Sequence, residues 1–235
     1  MQPYFFPYLG YFSLIASVDK WIVFDVTQYT PKTWMNRNRI LHPNAGWQYV
    51  TVPLSNSSIN IETSEARALD LAATKKAIIG KLAHYKRKAP YFDEVKCIVE
   101  RAFDDSLDDS LVGLNVSGLN AVCSYLEIPF SFKICSKLTF DFPTNIKAGG
   151  WAPYICQKLG ASEYVNPIGG KEIFDRSVFQ QNGITLYFAK FDEFKYATPS
   201  FNYEPNLSIL DVMMWNSAED IVTESKNGTH LIKAT

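Results

Sequence analysis

The first twelve residues, Met1-Gln-Pro-Tyr-Phe-Phe-Pro-Tyr-Leu-Gly-Tyr-Phe12, restrict the chain more than any other stretch. Six are aromatic, two are proline and one is glycine, which suits neither an uninterrupted helix nor an uninterrupted strand. Pro3 and Pro7 bias the residues before them toward extended geometry, so Met1 to Pro7 is expected to run extended. Gly10 permits a turn or a close backbone approach before the apolar run Tyr11 to Ala16, which reads as the start of a helix over 11–18. Gln2 and the hydroxyls of Tyr4, Tyr8 and Tyr11 stand among these rings. Such a surface suits a ligand with a flat or apolar face and hydroxyls, of which a nucleotide-sugar is one example.

The 235 residues, 47% hydrophobic and 20% charged, are enough to bury a substantial core. They read as one domain over 1–235, with sub-domains 1–140 and 141–235 as the alternative. A formal net charge of -1 argues against a nucleic-acid partner, so any phosphate binding has to be local. Cys97, Cys123, Cys135 and Cys156 form no C-x-x-C pair and read as reduced core residues of a cytoplasmic protein. The aromatic start has no basic leader, and its apolar run stops at Asp19-Lys20, so neither a signal peptide nor a membrane span is expected.

Trp21 to Phe24 reads as a buried strand, which places Asp25 where a strand gives way to a loop. Ligands are met at such ends in α/β sheets, although a turn carboxylate bonding its own backbone looks the same in sequence. Asn36, Arg37 and Asn38 are costly to bury unsatisfied and mark a second candidate. A hairpin is expected from Arg39–Leu41 and Trp47–Val52 around Pro43-Asn-Ala-Gly46, with His42 either a turn residue or a general base. A polar connection over 55–63 leads to a helix from the N-cap Ser64 to about Lys88, with a break tolerated at Gly80. Its six lysines and arginines from Lys75 to Lys88 read as a solvated face or a docking surface for an acidic carrier.

Helices are then expected from Tyr91 to about Phe103 and from Leu111 to Leu126, with a strand at Phe130–Cys135 and Ser136-Lys137 at its carboxyl end. The order helix, glycine, strand recurs at 151–165 and 172–188, which is what a parallel α/β layer produces. Leu207, Leu210 and Met214 form a helical stripe that Asp211 does not share, leaving Asp211 facing solvent or a pocket. The tail after Asn216 is expected to pack lightly. The fold class is therefore α/β: a mostly parallel sheet flanked by helices, with an N-terminal hairpin and a helical middle.

No nucleophile elbow, zinc spacing or dinucleotide fingerprint is present, and three histidines make a histidine-built metal site improbable; no metal or cofactor is expected. The residues that do carry a pattern are Gln2-Pro-Tyr-Phe-Phe-Pro-Tyr-Leu-Gly-Tyr11, Asp25 with Gln28-Tyr29, Trp34 with Asn36-Arg37-Asn38, Trp47 with Val52-Pro53, Ala89-Pro-Tyr-Phe92, Leu159 to Tyr164, and Leu207-Ser-Ile-Leu-Asp211. In this order the chain resembles the WbqC-like family from its first residue to about Asn216.

The resemblance implies a role in bacterial O-antigen or surface-polysaccharide biosynthesis, with glycine or another aminoacyl group transferred to an amino sugar. It also implies a strand before the Gln-Pro motif, so that this chain is expected to begin one strand late. Joined to the residues, the expectation is amide formation. An activated aminoacyl or acyl group, on a carrier protein or as a thioester, is attacked by the amine of a nucleotide-linked amino sugar. Asp25 is the first choice of base and Asp211 the second. Asn36, Arg37 and Asn38 are the expected oxyanion donors. Gln2, Tyr4, Tyr8, Tyr11 and Trp34 hold the sugar or base, and Gln28 and Ser208 complete the substrate-binding set. A non-catalytic nucleotide-sugar binder, or a scaffold of a polysaccharide complex, is the competing class.

Overall fold

The computed structural model describes residues 1–56 and 58–235; Ser57, in the polar connection expected over 55–63, lies outside the described residues. The extended start leads into helix α1 (Leu9–Ala16) and strand β1 (Trp21–Val23). The hairpin forms as strands β2 (Arg37–Leu41) and β3 (Trp47–Thr51). Helices α2 (Leu71–Leu82), α3 (Phe92–Asp104) and α4 (Leu111–Tyr125) make the helical middle. Strand β4 (Phe132–Ile134), helix α5 (Trp151–Leu159), strand β5 (Glu163–Pro167), helix α6 (Arg176–Gln181) and strand β6 (Thr185–Phe191) follow. Helices α7 (Ile209–Trp215) and α8 (Ala218–Asn227) and strand β7 (Thr229–Lys233) complete the chain.

The fold is α/β, but its strands do not join into one mostly parallel sheet. They form three small ladders: β1–β4 parallel, β2–β3 antiparallel, and β5–β6–β7 with one parallel and one antiparallel pairing. The hairpin strands satisfy each other locally, and β1 and β4 are only three residues each. Met1 adds to the free edge of β1, donating from its α-amino group to Ile22 O and accepting from Phe24 N, both at 2.8 Å. The helix-glycine-strand order recurs: Gly160 and Gly183 take the left-handed conformation (φ 65° and 69°), and β5 and β6 run parallel, Tyr164 beside Leu186.

Helix α4 is buried on nearly every side, through Leu111, Leu114, Asn115, Leu119 and Val122, so it is the axis of the main core. α3 packs on it with Val95, Ile98, Val99, Ala102 and Phe103, and α7 is buried along its whole length. A smaller cluster of Cys156, Phe179, Ile184, Leu186 and Phe188 lies between α5, α6 and β6.

Several boundaries differ from the sequence expectation. Ser64 does not start a long helix: it sits in a short turn, Thr63–Glu65, closed reciprocally by Glu62 and Glu65. Residues 66–68 then run extended, because Ala66 O, Arg67 O and Ala68 N hydrogen-bond Leu111 N, Ser55 N and Asp109 O. Long-range pairing overrides local helix propensity there, and Asp70 caps α2 instead, accepting from Ala73 N at 2.8 Å. Gly80 lies inside an unbroken α2.

The helix expected over 172–181 is split into a tight turn, Ile168–Ile173, and α6, which Asp175 caps. The tail is also more ordered than expected. Ser217 caps α8, Ile221 is buried, and Ser225 shares a 2.7 Å hydrogen bond with Ser13 of α1.

Candidate functional site

Asp25 stands at the carboxyl end of β1, as read from the sequence, and the fold gives it a partner 111 positions away. Its Oδ1 accepts from Ser136 N at 2.9 Å and its Oδ2 from the Ser136 hydroxyl at 2.6 Å. The carboxylate is buried (1% exposed), whereas Ser136, just past the end of β4, is exposed. Since β1 and β4 run parallel and Met1 bridges the other edge of β1, Gln2, Asp25 and Ser136 all leave the ladder at the same end. That end is where parallel α/β layers meet ligands.

From Gln2 the chain passes through a clamp. Asn115 Nδ2 donates to Pro3 O at 2.9 Å and Met35 O at 2.8 Å, and Phe5 N donates to Trp34 O at 2.8 Å. Asn38 Nδ2 donates to Phe5 O and Phe6 O at 3.0 and 2.9 Å, and the Ser208 hydroxyl donates to the same Phe6 O at 2.7 Å. Phe6 needs such fixing, because its φ of 39° is left-handed, a conformation that side chains with a Cβ avoid. Asn38 and Ser208 therefore spend their donors on the backbone of the aromatic segment. The expectation that Asn38 donates to an oxyanion and Ser208 to substrate finds no free donor at either side chain.

The tyrosines divide. Tyr11 is buried, its hydroxyl 2.5 Å from Gln2 O, and burial pushes its ionisation well up, so it packs in the core rather than facing a ligand. Tyr4 and Tyr8 remain half-buried; the Tyr4 hydroxyl reaches Gln2 Oε1 at 3.4 Å. Burial raises the ionisation of both, with Tyr4 adding to the effect at Tyr8. Gln28 is exposed and donates to Ile59 O at 2.6 Å. Asn36 donates to Val52 O at 3.1 Å and leaves its own buried Oδ1 without a partner.

Arg37 and Arg39 alternate with the inward Asn38 on β2 and share the hairpin's outer face. The Arg37 guanidinium lies 4.1 Å from the Tyr49 ring centre, and that of Arg39 lies 5.4 Å from Trp34 and 5.1 Å from Trp47. No carboxylate among the described residues comes within ion-pair distance of either. Trp34 and Trp47 are each 39% exposed. Arg39, Trp47 and Tyr49 were not singled out as site residues in the sequence; the two-residue period of a strand after Arg37 is the signal that finds them.

Asp211 faces neither solvent nor an open pocket. It is buried, with Tyr85 and Leu41 N donating to Oδ1 and Tyr196 donating to Oδ2 at 2.7 Å. Burial raises its pKa, while the three hydrogen bonds oppose that rise. Asp211 thus ties the hairpin, the turn that follows α2 and the loop before α7 together. His42 is a turn residue whose Nδ1 faces Asn44 N at 3.2 Å.

Two recesses, of about 480 Å³ beside α3 and α4 and about 400 Å³ at the end of α1, are lined by none of the candidate site residues. Among the described residues no helix is long and apolar enough to cross a membrane.

The sequence of this chain is 30% identical over 220 residues to the uncharacterized protein Rv1507c of Mycobacterium tuberculosis, covering 93% of each chain. No solved structure matches it. The WbqC-like protein family matches residues 2–223, which takes in Gln2, Asp25, Ser136, the hairpin and Asp211, and the chain belongs to that family.

Proposed function

We propose that the protein is a transferase that moves an aminoacyl, glycyl-like, or acyl group onto the amine of a nucleotide-linked amino sugar in bacterial surface-polysaccharide biosynthesis. The observation that supports this most is the buried Asp25 carboxyl group holding the hydroxyl of the exposed residue Ser136 at 2.6 Å where the parallel strands end. The amine nitrogen attacks the activated carbonyl and forms the amide bond. The bond from that carbonyl to its leaving group breaks, and the leaving group departs with the electron pair. The amine proton passes to Ser136 Oγ as the Ser136 proton passes to Asp25. Gln2 and Tyr4, at the same end of the ladder, hold sugar hydroxyls. The donor arrives on a thioester or a carrier protein, and the basic run Lys75 to Lys88, along α2 and the turns after it, is the face offered to an acidic carrier.

One observation favours a second reading, a non-catalytic nucleotide-sugar binder: Ser136 occupies both oxygens of Asp25, as it does in a purely structural tie. Asp25→Asn and Ser136→Ala separate the two. A transferase keeps affinity for the amino-sugar nucleotide and loses turnover in both variants. A binder forms no amide in the wild type, and neither change touches an activity.

A further inference from the structure

The outer face of the hairpin has a composition that packing alone does not require. Two guanidiniums two residues apart on one strand stand about 7 Å apart at the backbone, close enough for long side chains to converge on adjoining groups. Each lies against aromatic rings, and neither has a carboxylate partner among the described residues. Arg39 donates through Nη2 to Asn206 O at 3.3 Å, while its buried Nε has no acceptor. The stem is thereby fixed; the buried Nε is closed to a ligand, so a phosphate is met through the outer nitrogens.

A guanidinium packed against a ring keeps its N–H groups in its own plane, from which they can meet phosphate oxygens in pairs. The exposed indoles of Trp34 and Trp47 offer faces for a planar base, as aromatic platforms do in nucleotide recognition generally. The face is also joined to the strand-end site. Trp34 O accepts from Phe5 N, Phe5 follows Tyr4, and the Tyr4 hydroxyl meets Gln2.

The geometry points to a nucleoside diphosphate subsite on this face, with Arg37 and Arg39 taking the two phosphates and Trp34 or Trp47 stacking the base. It rests on the transferase reading only in taking the acceptor sugar to be nucleotide-linked. Arg37 is thereby assigned to the phosphates rather than to the oxyanion.

Titration of the full chain with UDP, dTDP and GDP, followed by calorimetry and tryptophan fluorescence, tests the subsite without any transfer chemistry. One or more of these is expected to bind. Arg39→Ala and Trp47→Ala are each expected to weaken binding about tenfold or more, while Lys137→Ala leaves it unchanged. Affinity is also expected to fall with added salt.

Arg39→Lys keeps the charge and loses the fork. It is expected to bind more weakly than wild type and to melt at the same temperature, which separates loss of contact from loss of fold. No binding of any of the three at millimolar concentration, or equal binding by wild type, Arg39→Ala and Trp47→Ala, overturns the subsite. Hairpin-dependent binding of UDP or dTDP by a protein that forms no amide keeps the subsite and removes the transferase reading. Amide formation that Arg39→Ala and Trp47→Ala leave unaltered does the reverse.

Discussion

Asn38 and Ser208, 170 positions apart in sequence, donate to one oxygen, the carbonyl of Phe6, at 2.9 and 2.7 Å. They hold the only left-handed residue of the aromatic start, and with it the direction in which Tyr4 and Tyr8 face. Because both act on the same group, their effects are coupled. Asn38→Ala and Ser208→Ala are each expected to cost about 1–3 kcal/mol in urea unfolding, and the double variant to cost measurably less than their sum. Strict additivity contradicts the shared clamp.

Gly10 is set by a close approach rather than by helix geometry. A Cβ there would stand 2.5 Å from the Tyr8 ring and 2.9 Å from the Phe191 ring. Alanine is the better helix former, by roughly 1 kcal/mol. Gly10→Ala is nevertheless expected to lower stability by about 1–3 kcal/mol through overpacking, read from urea unfolding. A stabilised variant shows that Tyr8 and Phe191 move aside without cost.

The Asp211 network predicts a direction for stability against pH. Burial raises the Asp211 pKa in the folded state above the ordinary 3.8, so the folded protein binds this proton more tightly than the unfolded chain. The associated stability is fully present below 3.8 and is lost as pH rises through the folded value. Asp211→Asn removes this dependence. The stability of wild type minus that of Asp211→Asn is therefore expected to fall as pH rises from 3 toward neutrality, read from urea midpoints across a pH series. A difference that grows with pH shows that the donors Tyr85, Tyr196 and Leu41 N outweigh burial.

Ser136→Ala removes one of the two hydrogen bonds that Asp25 accepts from Ser136. It is expected to cost about 1.5–3 kcal/mol in thermal or urea unfolding, and Ser136→Thr to cost less. Equal melting of all three proteins shows that the tie contributes nothing to stability.

Much of the fold was legible because its signals are local. The hairpin followed from Pro43-Asn-Ala-Gly46 between β-prone runs, and the β5–β6 layer followed from two helices that each end at a left-handed glycine. The helix misplaced to Ser64 shows the limit: residues 66–68 are extended only because segments 54–55 and 109–111 pair with them, and the sequence near Ser64 carries no trace of that. β7 escaped for a related reason. Its residues are mostly exposed, so no apolar alternation marks it, and only pairing with β6 defines it.

For the site, Asp25 was found as a strand-end carboxylate, but Ser136 was not chosen, because nothing local links positions 111 apart. Asn38, Ser208, Tyr11 and Asp211 were selected as polar groups near a motif. Burial, which the sequence does not print, directs all four into the fold. Asn115 was missed because it lies in an otherwise apolar helix, where its amide binds the carbonyls of Pro3 and Met35.

Amide formation at Asp25 and Ser136 is what separates a transferase from a binder. Mass spectrometry of a nucleotide-linked amino sugar incubated with the protein and a glycyl thioester tests it most directly. A product heavier by one glycyl residue is expected with wild type, and loss of that product with Asp25→Asn and Ser136→Ala although both still bind the sugar nucleotide. A product formed equally by the wild type and both variants contradicts it.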